Sequence, residues 1–130
     1  VKPVNVLSNG KKKLSGGGNF TDMTYERMKK YSEDGLLMLV AGFIDGRLVY
    51  ILEFPFDCIK PRIKEQLDNK FHGSRPEGMF LRSASFNYNH YAGCDSVRLL
   101  FYSREMVEKH SHLLTKGFRE FLNSLEESRG

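Results

Sequence analysis

The stretch Leu36–Phe54 (LLMLVAGFIDGRLVYILEF) decides the fold. Two apolar runs, Leu36–Ile44 and Arg47–Phe54, meet at Asp45-Gly46. Both central residues of a type I′ turn need φ > 0, and Asp-Gly tolerates this, so the stretch reads as a β-hairpin with a two-residue turn. That turn sets a register: Ile44 opposite Arg47, Phe43 opposite Leu48 and, by continued counting, Met38 opposite Glu53. Successive side chains point to opposite faces of a strand, yet here both sets are apolar. Such a pair belongs in the middle of a sheet, with material packed on both faces or with one face at a subunit contact.

Working outward, Pro55 ends the second strand because it cannot donate to a ladder. Pro61 suits the first turn of a helix over 61–71, with Ile59, Ile63, Leu67 and Phe71 as its buried stripe. Residues 72–78 read as a loop, 79–88 as a third strand, 89–95 as a second loop and 96–102 as a fourth strand. Ser103 reads as the N-cap of a long amphipathic helix over 104–126. On the other side, Thr21 reads as the N-cap of a short helix over 22–32. Residues 1–20 hold Asn9-Gly10, three successive lysines and Gly16-Gly17-Gly18, and read as a flexible basic arm. The expectation is an α+β fold: one domain over 21–130, with helices packed on a mostly antiparallel four-stranded sheet. Its expected order is α-ββ-α-ββ-α after the N-terminal basic arm.

The chain has 130 residues, with 20 Lys and Arg against 16 Asp and Glu, for a net charge of +4. Lys2, Lys11, Lys12 and Lys13 all fall in residues 1–20, which hold no acid, so 21–130 is neutral. The length suits one domain, which buries roughly two thirds of the surface its unfolded chain exposes. No apolar stretch approaches the roughly 20 residues of a membrane-spanning helix, so no membrane partner is expected. The first residues lack the apolar segment of a secretory signal. Cys58 and Cys94 could form at most one disulfide, which is no disulfide framework, and a reducing intracellular compartment, cytoplasmic or nuclear, is expected.

Most catalytic and cofactor motifs fail on spacing. In KKKLSGGGNF (11–20) the lysines precede the glycines, whereas a phosphate-binding Walker A loop needs Lys after them. His90-x3-Cys94 gives two ligands where a structural zinc needs four, so neither a metal nor a cofactor is expected. Glu53 interrupts an apolar run and suggests a metal-dependent nuclease or hydrolase, in which hairpin acids hold a hard cation. Against this, Pro55 stands where an acid-x-Lys pair needs its Lys, and Asp45 lies at the far end of a strand about 26 Å long.

The richest constellation is Arg82–Tyr91 (RSASFNYNHY), which combines aromatic rings, amides, hydroxyls, a His and an Arg with no acid. It suggests a nucleic-acid-binding surface, DNA or RNA. Lys11, Lys12, Lys13 and Arg75 would contact phosphates, Arg82, Asn87 and His90 base edges, and Tyr88 and Tyr91 would stack on bases. Three functions therefore stand side by side. The first is a nucleic-acid-binding domain, as part of a larger nucleic-acid-processing protein. The second is a metal-dependent nuclease or hydrolase using Glu53. The third is a protein-interaction or homo-oligomeric assembly domain that uses the second apolar face of the hairpin.

Overall fold

The computed structural model describes residues 2–8, 13–71 and 80–129. The Leu36–Phe54 hairpin is present as β3 (Leu37–Ile44) and β4 (Arg47–Pro55). Asp45 and Gly46 have φ of 51° and 75°, as the two-residue turn requires. Ile44 faces Arg47 and Phe43 faces Leu48, but the counting then breaks. Val49 is an extra residue on β4, so Gly42 faces Tyr50, Leu39 faces Glu53 and Met38 faces Phe54. A one-residue slip exchanges the faces of a strand. Val49 and Tyr50 both enter the core, and Glu53 leaves it for the opposite face. Gly42 makes room for the Tyr50 ring, which lies where a β-carbon on residue 42 would sit.

The main sheet has the order β1-β3-β4-β6, with β1 at Lys2–Ser8 and β6 at Arg98–Tyr102. The β3–β4 and β4–β6 ladders are antiparallel, and β1 runs parallel to β3. The sheet is therefore mixed, with two of its three ladders antiparallel, within an α+β fold that has four α-helices among the described residues. Its fourth strand comes from the segment read as a basic arm. Pro3 lies in β1, an edge strand, where a missing N–H is tolerated. The segment read as a third strand forms β5 (Leu81–Phe86), but pairs antiparallel with β2 (Gly18–Met23) in a separate two-stranded sheet.

The glycine-rich segment is likewise part of the body. Leu14 is buried and bonded by its backbone in both directions: its N–H donates to the Leu113 carbonyl at 2.7 Å, and its carbonyl accepts from the Thr115 N–H at 3.0 Å. Gly16 has φ +68°, and a β-carbon there would stand 2.6 Å from the Phe118 ring. Its carbonyl accepts the Tyr91 hydroxyl at 2.6 Å. Glycine here gives close approach rather than a loose linker.

Helix α1 (Tyr25–Glu33) starts later than expected, because residues 21–23 complete β2 and Thr24, not Thr21, is the cap. The Thr24 hydroxyl accepts the Arg27 N–H at 3.0 Å. Helix α2 (Lys60–Phe71) buries Ile63 and Leu67, in line with the four-residue spacing. The long C-terminal helix is broken into α3 (Arg104–Lys109) and α4 (Lys116–Arg129). The two backbone bonds to Leu14 draw residues 113–115 out of helical geometry, since a buried backbone must find partners somewhere. Met28, Ile63, Leu67, Met106, Val107, Phe118 and Leu122 from the four helices share one core with Met38, Val40, Leu52 and Phe54 of the sheet.

Cys58 and Cys94 form a disulfide, the one bridge that two cysteines allow. It ties the end of β4 to the segment before β6 across 36 residues of sequence, with the Cα atoms 5.9 Å apart. No helix among the described residues is long and apolar enough to cross a membrane.

Candidate functional site

The described residues among those assigned to nucleic acid differ in exposure. Lys11, Lys12 and Arg75 lie outside the described residues. Lys13 and Arg82 are exposed. Ser85, on the same strand as Arg82, is engaged by α2: Arg62 donates to its carbonyl and Gln66 to its hydroxyl, each at 3.2 Å. Ser85 is thus taken up in internal bonding, while Ser83 is exposed.

Asn87 and His90 satisfy each other's backbone at the short 3-10 turn Tyr88–His90. His90 Nδ1 accepts the Asn87 N–H at 2.9 Å, and Asn87 Oδ1 accepts the Asn89 N–H at 2.9 Å. Partial burial, with Arg62 nearby, holds the His90 pKa below its ordinary value and favours the neutral acceptor. Tyr88 packs on α4, 5.7 Å from the Phe118 ring and 6.0 Å from Phe121. Tyr91 is 1% exposed and stacked on Phe54 at 4.2 Å, so no base can reach it. Burial, with the Tyr50 hydroxyl nearby, pushes its phenol pKa well up. The segment Asn87–Tyr91 is thus an internally bonded corner, with Tyr91 in the core.

Glu53 stands beside Arg98 on β6, with Arg98 Nη1 3.4 Å from its carboxylate. Asp45 is at the far end of the hairpin. Among the described residues no three His, Cys, Asp or Glu side chains gather as metal ligands. Cys94, bonded to Cys58, is no partner for His90 in a metal site.

A cleft of about 410 Å³ opens between α3 and α4, lined by Arg104, Glu108, Ser111, Arg119, Asn123 and Glu127 over Val107. Its polar groups are partly committed: Arg119 donates to the Ser111 carbonyl, and Asn123 accepts the Tyr102 hydroxyl. It holds both signs of charge and no paired nucleophile and base.

The feature that remains is the second face of the main sheet. Register places Leu39, Ala41 and Phe43 of β3 beside Leu48, Ile51 and Glu53 of β4, and Ile51 beside Phe101 of β6. None of Leu37, Leu39, Ala41, Phe43, Leu48, Ile51 or Phe101 belongs to the core or packs against it. Leu37 is 36% exposed and Phe101 39%. Among the described residues the four helices all send their buried side chains to the other face. The bulge at Val49 creates this composition, because it brings Ile51 to the open face along with Glu53. The hairpin's two apolar sets pointed to such a face, but the sequence pattern could not say which face the helices cover.

No family model matches the chain, and no curated protein or solved structure is similar to it.

Proposed function

We propose that this chain is a protein-interaction domain, which docks another protein against the face of its main sheet that no described helix covers. One observation carries the reading: Leu37, Leu39, Ala41, Phe43, Ile51 and Phe101 make an apolar surface outside the core. Isolated exposed apolar residues are ordinary, but a contiguous apolar patch of several hundred Å² marks an interaction site. The face carries Glu53 as its one inner-strand acid, and Arg98 of the same chain accompanies it. A partner therefore meets no uncompensated charge, which favours an apolar protein surface over a phosphate backbone. The Cys58–Cys94 disulfide favours an oxidising compartment over the reducing one expected from the cysteine count.

The test is photo-crosslinking in the host cell. A benzophenone amino acid replaces Leu39 or Ile51, and in a control Glu65 on the exposed side of α2. Discrete protein adducts are expected from positions 39 and 51 and not from 65. Equal labelling at all three, or none at the sheet positions, would overturn the reading.

A further inference from the structure

The occupant of the open face can be named from its size and its charge. The face spans four strands, which lie about 4.8 Å apart, and β3 is eight residues long at about 3.3 Å per residue. With strands of seven, eight, nine and five residues its footprint is roughly 460 Å², so two such faces in contact bury roughly 900 Å², the size of a weak, concentration-dependent interface. A small helix or short peptide would leave much of that surface wet. A second flat sheet fits it, because sheets stack about 10 Å apart with interleaved side chains.

Charge allows that sheet to be the same face of a second copy. The inner strands offer apolar side chains and a single acid already matched by Arg98 on the neighbouring strand, so the face is locally neutral. A two-fold contact brings a surface against itself, so a patch rich in one charge would repel its copy. This patch does not. Outside residues 1–20 the whole chain is neutral as well.

We propose that the partner is a second copy of this chain, with the open faces of two main sheets packed together about a two-fold axis. This rests on the docking reading above. The contact is apolar at its centre, where Ala41, Ile51 and Phe43 lie, with Glu53 and Arg98 beside it. It turns two two-layer molecules into a layered dimer, with helices outside and two sheets within.

The experiment is sedimentation velocity on the full chain, from sub-micromolar to high micromolar concentration. Wild type is expected to show a monomer–dimer equilibrium that changes little with salt. Ile51→Lys and, as a second variant on the edge strand, Phe101→Glu should each weaken dimerisation by roughly tenfold or more while circular dichroism stays native. Arg98→Glu should weaken it at low salt, because it sets a second acid beside Glu53, and high salt should restore it. A wild type that stays monomeric throughout, or a dimer indifferent to Ile51→Lys and Phe101→Glu, overturns the proposal. Binding of an apolar fluorescent dye separates this failure from that of the docking reading. A monomer that takes up dye, and loses it in Ile51→Lys, has an open face intended for a different protein. A monomer that takes up none has no open face at all, and both readings fall.

Discussion

Tyr50 places a hydroxyl in the core where it meets no hydrogen-bond partner among the described residues. Burial pushes its pKa well up, and the ring packs edge-on to Phe118 at 5.0 Å. An unsatisfied buried hydroxyl costs about 1–3 kcal/mol, so Tyr50→Phe should raise the unfolding free energy by about 1 kcal/mol in urea titrations. Gly42→Ala should do the reverse, lowering it by about 2 kcal/mol in the same titrations, because the new methyl meets the Tyr50 ring. His90 gives a pH signature. Its folded pKa lies below the unfolded value of about 6.5, so the unfolded state takes up protons first. This contribution to stability is complete above that pH and is lost as pH falls through the folded pKa. Thermal melts from neutral to mildly acidic pH should show the loss in wild type and a smaller one in His90→Gln. Asn87, Tyr88, His90 and Tyr91 looked like a ligand set in sequence. Amides, rings and hydroxyls serve caps and cores as readily as ligands, and only their partners distinguish the two uses.

Among the elements, the hairpin and α2 were legible, because turn chemistry and helical periodicity are local. Strand β1 was not, because its parallel pairing with β3 spans more than thirty residues. The break between α3 and α4 was equally hidden, since its cause is the distant backbone of Leu14. The disulfide also acts at this scale. Closing a loop of 36 residues removes unfolded-state entropy worth about 4 kcal/mol. Reduction, or the double substitution Cys58→Ala and Cys94→Ala, should lower the unfolding free energy by up to about that amount. Hydrogen exchange should show the largest gain in the segment between β5 and β6, which the bridge ties to the end of β4.

For the whole molecule, the consequence of the fold is an imbalance between two sheet faces. One holds the core and every helix, and the other holds Leu39, Ala41, Phe43 and Ile51 with nothing described above them. Ile51→Lys should therefore leave the unfolding free energy of the monomer within about 1 kcal/mol of wild type, because the substitution touches no core contact. Comparable urea midpoints alongside lost association would separate the role of this face from folding. The sequence by itself determined the hairpin, its type I′ turn, the stripe of α2 and a neutral body with an α+β content, since each follows from neighbours along the chain. Tertiary structure alone decided that Lys2–Ser8 enters the sheet, that the cysteines meet, and that Tyr91 is core. It also decided, through one extra residue at Val49, that Glu53 and Ile51 turn away from the core. Those outcomes depend on which distant backbones and side chains share space, and a one-residue bulge can reverse the face of half a strand without changing its apolar pattern.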